Sequence, residues 1–203
     1  MNYPEFFDAI PRLVLHDPLS EFLGALEGGV VEYGYVDAVK LAGHSCPTVA
    51  SAYWLTVMAL RALYGEELPE RGAIRVEFRE SLEAGTTGVV ANVVSMLTGA
   101  TADTGFKGLG GRFDRRHLLA FEAKLSLNIR YTRIDTGEQV EAAADLSHVP
   151  ADAATPALMQ RCLTGTASTE EACRFAQLWQ DRVRRILLEH GADPKVFVIR
   201  RVV

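Results

Sequence analysis

One uninterrupted segment, residues 47–64, limits the possible folds of this chain more than any other feature. It begins with Pro47, contains no helix breaker and is followed by Gly65. Proline suits the first position of a helix and glycine the position after the last, so the segment predicts one long helix. Its apolar side chains cover most of the helix circumference: Val49, Ala52, Tyr53, Leu55, Met58, Ala59, Ala62 and Leu63. A helix of this kind lies in the interior of a domain or of a dimer.

The segments that follow this helix predict strands and one further helix. At residues 74–78 apolar and charged side chains alternate, which is typical of a half-buried strand. Residues 118–131 also predict a strand, and the Asp-Thr-Gly turn at residues 135–137 predicts a hairpin that returns along residues 139–143. Residues 88–97 favour a strand by their valine content and a helix by their length and closing glycine, and we predict a helix.

The N-terminal part adds two weaker patterns. A helix is predicted for residues 18–26, because Pro18 suits its first position. Residues 30–39 alternate loosely and predict either a strand or the approach to a helix, of which we take the strand. Strands and helices do not alternate strictly along the chain. We therefore predict the α+β class, with a mixed or antiparallel sheet packed on the long buried helix.

The composition changes after residue 150, where alanine, threonine and proline become frequent. A short helix is predicted first. The capping box formed by Ser168 and Glu171 then starts a longer helix with an apolar stripe. Residues 196–203 predict a last strand at the sheet edge. We divide the chain into an α+β core domain, residues 1–150, and a C-terminal helical extension, residues 151–203.

Charge and composition exclude several classes of partner. The 203 residues carry a formal net charge of −5, which disfavours nucleic acid and anionic membranes as partners. Residues 41–60 contain no charged side chain, but Gly43 and Pro47 interrupt them, so the apolar part is too short to span a membrane. The N-terminus has early acidic residues and no signal-peptide pattern. We expect a cytoplasmic protein that binds neither nucleic acid nor membrane.

The sequence Gly-His-Ser-Cys-Pro at residues 43–47 is the strongest chemical candidate. If Pro47 is the first helical residue, Cys46 occupies the N-cap, where unpaired N–H groups and the helix dipole favour the thiolate. His44 lies two residues upstream, and thiolate plus imidazole suits zinc or another divalent transition metal. The alternative is structural, with Cys46 as a small buried hydrophobic residue and His44 as a helix cap.

This motif resembles the HGHxCPG signature of the FmdE family, which takes its name from a component of formylmethanofuran dehydrogenase. The resemblance continues through the strand at residues 74–78, a segment ending in Thr98-Gly99 and a Gly-Phe-Lys-Gly loop at residues 105–108. It covers about residues 30–130. It implies an α+β core that forms intertwined homodimers. Because the chain has no CxxC pair, it resembles the core-only members that lack a C-terminal zinc finger.

The chain departs from the family pattern at two positions. Ala42 stands where the family has its first histidine, and Ala100 where it has the cysteine of a T-G-C-T sequence. His44 and Cys46 then supply two metal ligands at most. We predict His16 as a third ligand, with the adjacent Asp17 orienting its ring. The alternative for His16 is a cap at the start of the following helix.

The glycine-rich loop at residues 105–112 predicts an anion site. Its glycines, Gly108 among them, allow backbone N–H groups to converge, and Lys107 and Arg112 bring positive charge. The loop has no Gly-Lys-Ser/Thr sequence, so it is not a Walker loop. The alternative is a mobile connection without a ligand.

These observations lead to one function hypothesis and two alternatives. We expect a metal-binding protein of the FmdE type that acts on or senses a small anionic ligand. Cys46 is the predicted nucleophile or thiolate ligand, and His44 the second ligand or proton carrier. The first alternative is a non-catalytic metal-binding accessory or regulatory protein. The second is a structural dimer component in which Cys46 packs in the core.

Overall fold

The structure, a computed structural model, describes residues 3–202 and has the predicted mixed α+β architecture. The strands are β1 (Leu13–His16), β2 (Val30–Tyr33), β3 (Ile74–Phe78), β4 (Leu119–Ala120), β5 (Ile129–Arg133), β6 (Gln139–Ala144) and β7 (Phe197–Val202). The α-helices are α1 (Pro18–Phe22), α2 (Tyr35–Ala42), α3 (Pro47–Tyr64), α4 (Thr87–Thr98), α5 (Thr155–Leu163) and α6 (Thr169–Arg184), and a π-helical turn, Arg185–Glu189, follows α6.

The main sheet has the strand order β4-β3-β5-β6-β7. The β3–β4 pair is parallel and the other pairs are antiparallel, so the sheet is mixed. Strands β1 and β2 form a separate antiparallel pair. Helix α3 packs against β5, β6 and β7 of the main sheet and against α4. The helix with the most apolar circumference therefore lies where two layers bury it.

Polar groups fix the position of α3 within the core. The Tyr53 hydroxyl donates to the carbonyl of Pro11 at 2.9 Å, and Trp54 Nε1 donates to the carbonyl of Gly191 at 2.7 Å. Thr56 Oγ1 lies 3.0 Å from the Tyr131 hydroxyl on β5. Each of these buried polar atoms has a partner, which avoids the cost of an unsatisfied group. The contacts tie α3 to both ends of the chain.

Three predicted segments differ from the structure. The predicted strand at residues 118–131 is two short strands, β4 and β5, separated by an irregular stretch that includes Glu122 at φ 59°. The predicted strand at residues 30–39 is β2 followed by α2, because Asp37 Oδ2 accepts the Gly34 N–H at 2.8 Å and starts a helix there. The helix predicted at residues 18–26 ends at Phe22.

The C-terminal residues complete the main sheet. Strand β7 pairs with β6 along its length, from Phe197 opposite Ala144 to Val202 opposite Gln139. Val203, predicted to belong to this strand, lies outside the described residues. Helix α6 starts with the predicted capping box of Ser168 and Glu171. Among residues 3–202, no helix has both the length and the apolar character needed to cross a membrane.

Candidate functional site

Cys46 occupies the N-cap of α3, the position that Pro47 predicts for it. Its backbone is extended, with φ −150°, and its Sγ accepts the N–H of Val49 at 3.4 Å. The residue is only 9% exposed. The sulfur therefore satisfies one of the free N–H groups in the first helical turn. Cys46 has a structural role here whatever further chemistry it performs.

His44 lies in the turn between α2 and α3 and is exposed. Its Nδ1 is 2.9 Å from the carbonyl oxygen of Ala42. A carbonyl oxygen only accepts hydrogen bonds, so this contact assigns the proton to Nδ1. In the neutral ring, Nε2 then carries the lone pair. This nitrogen is the one that can accept a proton or bind a metal ion.

Ser45, between these two residues, is fixed by the C-terminal extension. Its Oγ donates to Gln180 Oε1 at 2.9 Å, and its carbonyl accepts Trp179 Nε1 at 3.0 Å. The Tyr35 hydroxyl lies 2.9 Å from Ser45 Oγ and acts as the donor, because the serine proton is already engaged. Burial raises the pKa of Tyr35 above its ordinary range, which keeps that proton in place. Helix α6 therefore holds the segment that carries His44 and Cys46.

A groove between α2 and α4 consists of two adjoining pockets, one of which His44 lines. Its smaller part, about 140 Å³, is lined by His44, Ala42 and Val89. Its larger part, about 470 Å³, reaches Arg71 and Arg115. Leu41 and Asn92 line both parts, and we call the whole feature the α2–α4 groove. The remaining residues that line it are Val93, Ser95, Met96, Gly99, Thr101 and Phe106.

Two guanidinium groups at the far end of this groove share one buried carboxylate. Arg71 Nη1 lies 2.9 Å from Asp17 Oδ2, and Arg115 Nη2 lies 2.6 Å from Asp17 Oδ1. Burial raises the pKa of Asp17, but hydrogen bonds from Arg71, Ser20 and Arg115 outweigh it, so the pKa lies below its usual value. The carboxylate is ionised, and the three groups together carry one net positive charge.

The structure does not show the predicted contact between Asp17 and the His16 ring, and the role of His16 as a metal ligand stays a prediction. Asp17 does not orient the His16 ring: its Oδ1 accepts the N–H groups of Leu19 and Ser20 as the N-cap of α1, and both oxygens bind arginine. His16 Nε2 instead lies 2.8 Å from Glu21 Oε2. Two nearly buried guanidinium groups without a counter-charge would be more costly than a half-buried imidazole that pairs with Glu21 instead.

The described residues bring no third metal ligand to His44 and Cys46. Among residues 3–202, no group of three or more His, Cys, Asp or Glu side chains is arranged to hold a metal ion. His44 and Cys46 therefore do not by themselves fit a four-ligand zinc site. His16 lies in another cleft, which shares Arg71 and Arg115 with the α2–α4 groove but does not reach His44 or Cys46. Metal binding at His44 and Cys46 stays a prediction that needs donors from outside the single chain.

The residues of the glycine-rich loop do not meet at one anion site but lie in different surroundings. Gly108, at φ 85°, is required by a tight turn, because a Cβ there would collide with the carbonyl oxygen of Arg112. The Arg112 guanidinium lies 4.6 Å from the Phe113 ring centroid and lines the cleft that contains His16. Lys107 is exposed, and Phe106 lines the α2–α4 groove. The loop contributes an apolar wall to the groove.

Sequence reasoning did not identify Arg71 and Arg115 as site residues. They lie 54 and 98 positions from Asp17, and no local pattern connects residues at such separations. Trp179 fits the apolar stripe of α6 by its spacing, and its indole N–H is what reaches Ser45. Neither a scan against protein-family models nor a search of curated proteins found a match for this chain.

Proposed function

We propose that the protein binds a small anionic ligand in the α2–α4 groove and, through His44 beside Cys46, acts on it or senses it. The observation that supports this proposal is the sharing of one buried carboxylate, Asp17, by Arg71 and Arg115. The surplus positive charge lies where little water screens it, so an anion is attracted strongly. Guanidinium groups also match the two-oxygen geometry of carboxylates and phosphates.

Arg115 is the better placed of the two to contact the ligand. Arg71 already donates through Nε and Nη2 to the carbonyl of Met96 and through Nη1 to Asp17. Within residues 3–202, Arg115 uses only Nη2, on Asp17. A Cβ at Gly99 would lie 3.1 Å from Arg115 Nη1, so the glycine leaves room for this guanidinium. Arg115 thus keeps donors for an anion.

The rest of the groove favours an anion that carries an apolar part. Leu41 and Phe106 offer exposed apolar surface, with relative exposures of 49% and 38%. Asn92 and Ser95 add neutral hydrogen-bonding groups between the arginines and His44. A ligand held by its anionic group at Arg115 would extend along α4 toward the free Nε2 of His44. That nitrogen is suited to accept a proton from the ligand or to respond to its charge.

We also propose that the chain belongs to the FmdE family that it resembles, forms a homodimer and is located in the cytoplasm. Helix α4 contains no charged side chain, and its Val89, Asn92 and Met96 lie on a face that is only partly covered. In an intertwined dimer the second chain would border this face and Leu41, so the α2–α4 groove would lie at the interface between the two chains. A second chain, or the ligand itself, would have to supply the donors that Zn²⁺ or another divalent transition metal lacks at His44 and Cys46. We assign no chemical step to a metal.

The non-catalytic alternative has one observation in its favour. Cys46 is nearly buried, and its sulfur already accepts a backbone hydrogen bond. A sulfur in this position is better suited to hold the helix start than to attack a substrate. Under this alternative the protein binds the anion, or a metal, without turnover.

Titration with phenyl phosphate tests the proposal, with phenol as the uncharged control. We expect phenyl phosphate to bind and to perturb groove residues, and phenol to bind at least about tenfold more weakly. Arg115→Gln should abolish this preference, whereas Arg79→Gln, which removes an exposed arginine outside the groove, should leave it unchanged. Equal binding of phenyl phosphate to the wild type and to Arg115→Gln would reject the groove as the anion site.

Metal content and molecular mass test the other parts of the proposal. Mass spectrometry of the isolated protein should find near-stoichiometric metal in the wild type and its loss in both Cys46→Ala and His44→Asn. If all three proteins are metal-free after zinc is supplied, the metal part is rejected and the anion site is unaffected. Light scattering at micromolar concentration should give the mass of a dimer, and a monomer mass would reject the homodimer.

A further inference from the structure

A second cavity, separate from the α2–α4 groove, lies at one end of the main sheet. It occupies about 250 Å³ between the first turns of α3, the start of α4 and the sheet end where β3 stops and β5 begins. It opens to solvent on one side and is floored by core residues of α3 and the sheet. We call it the α3–sheet cavity.

Four polar side chains in this cavity have no hydrogen-bond partner. They are Thr48 on α3, Thr86 and Thr87 at the start of α4, and Asn128 just before β5. Within residues 3–202, none of these side chains makes a hydrogen bond. Thr86 is exposed, and the polar atoms of the other three side chains are not fully buried, so water reaches all four. Three hydroxyl groups and one amide are therefore available to a molecule that enters the cavity.

The remaining wall of the cavity is apolar. Leu55 on α3, Phe78 on β3 and Ile129 on β5 are buried core residues that line it, and Val90 on α4 is half-buried. A ligand that reaches the polar side chains would place the rest of its surface against these groups. Burial of that surface favours binding, because apolar area is removed from water.

The charges at the cavity exclude an anionic ligand. Of the residues that the structure describes, no lysine, arginine or histidine lines it, and Glu80 is the one charged lining residue. The Glu80 carboxylate is exposed and already accepts a hydrogen bond from Arg79 Nε at 3.2 Å. A carboxylate or phosphate would enter without a counter-charge, which is costly. An amine would find its only counter-charge already engaged at the rim.

We infer that the α3–sheet cavity is a second ligand site, which takes an uncharged small molecule with a hydroxyl or amide head and an apolar body. The head binds the unpaired side chains of Thr48, Thr87 and Asn128, and the body packs against the core residues of the wall. The two proposed sites thus differ in the ligand charge that they select: the α2–α4 groove takes an anion and the cavity takes a neutral molecule.

Three probes of nearly equal shape test this inference: 2-phenylacetamide, phenylacetate and 2-phenylethylamine. Each is titrated into the full chain while backbone amide shifts are followed by nuclear magnetic resonance. We expect the amide to shift the signals of Thr48, Thr87 and Asn128 with a dissociation constant in about the millimolar range. The acid and the amine should shift these signals at least several times more weakly. Phenylacetate can also shift the Arg115 signal by binding in the α2–α4 groove, and such shifts do not count for or against the cavity.

Isosteric substitutions provide the controls. Thr87→Val removes an unpaired hydroxyl at the first position of α4 and should weaken binding of 2-phenylacetamide several-fold, and Asn128→Leu should weaken it further. Thr169→Val, a matched change at the exposed start of α6, should leave binding unchanged. If Asn128→Leu does not fold, Thr87→Val still decides the question. The site is rejected if the amide does not bind, if the acid shifts the cavity signals equally, or if Thr87→Val binds like the wild type.

Discussion

Asp17 and Glu141 are both buried carboxylates bound by arginine, but their surroundings differ. Glu141, on β6, accepts hydrogen bonds from the Ser126 hydroxyl, the N–H groups of Ser126 and Leu127, and Arg130 Nη2 at 2.7 Å. The single arginine there is also 3.8 Å from Glu77. At Asp17, two arginines share one carboxylate, and Arg115 keeps unused donors.

The difference shows how one set of residue types can be structural in one place and available for binding in another. At Glu141 the carboxylate is satisfied and Arg130 faces two carboxylates, so no positive charge is left over for a ligand, although its buried Nε has no partner among residues 3–202. At Asp17 the positive charge exceeds the negative charge, and the excess lies beside a groove. The two clusters differ in the number of arginines for each carboxylate rather than in burial alone.

The largest effect should come from removal of Asp17. Asp17→Ala leaves two nearly buried guanidinium groups without a counter-charge and also removes the N-cap of α1. We expect the free energy of unfolding to fall by about 3–5 kcal/mol, measured by urea denaturation. Glu32→Ala, which breaks an exposed pair with Arg12, is the control and should cost less than about 1 kcal/mol. Equal losses would show that the Asp17 cluster is not effectively buried.

Acid should lower the free energy of unfolding through protonation of Glu141. Burial by itself raises the pKa of Glu141. Hydrogen bonds from Ser126, Arg130 and Leu127 outweigh this effect and lower the pKa from an ordinary value of 4.5 to about 2. Because the pKa is lower in the folded state, the Glu141 carboxylate stabilises the fold in full above pH 4.5. This stabilisation is lost as the pH falls toward 2. We expect Glu141 to account for roughly 3 kcal/mol of that loss in urea denaturation across this range.

Glu141→Gln is the control for the acid experiment. The amide cannot titrate, so the variant should be less stable at pH 7 and should show a flatter pH dependence than the wild type. If the slopes of the two proteins coincide between pH 4.5 and 2, other carboxylates dominate the acid response.

Loss of one arginine should separate binding from stability. Arg115→Gln leaves Asp17 paired with Arg71 and should raise the dissociation constant for phenyl phosphate at least about tenfold, or ~1.4 kcal/mol. Arg130→Gln should lower the free energy of unfolding while its binding of phenyl phosphate stays at the wild-type level. Calorimetric titration and urea denaturation of both variants provide the comparison. The distinction between the clusters fails if Arg130→Gln weakens binding as much as Arg115→Gln.

The smallest effect should come from the helix cap at Cys46. Cys46→Ala removes the acceptor of the Val49 N–H, and we expect a loss of about 0.5–1 kcal/mol in urea denaturation. Cys46→Ser keeps an acceptor and should recover most of that loss. No difference between the two variants would mean that the sulfur contributes nothing as a cap.

Local patterns predicted much of the fold. Pro47 and Gly65 bound α3, the alternation at residues 74–78 marks β3, and Ser168 starts α6, because each signal acts within a few residues. The strand predicted at residues 118–131 was wrong in its middle, where the chain leaves the sheet between β4 and β5. Hydrophobic content alone does not determine which residues find a neighbouring strand.

The candidate site divides in the same way. The sequence by itself determined that Cys46 caps α3 and that His44 precedes it, because helix capping depends on adjacent residues. Only the tertiary structure decided that Asp17 binds Arg71 and Arg115, that these arginines share a groove with His44, and that α6 holds Ser45. Those contacts join residues far apart in the chain, and the packing of the core brings them together.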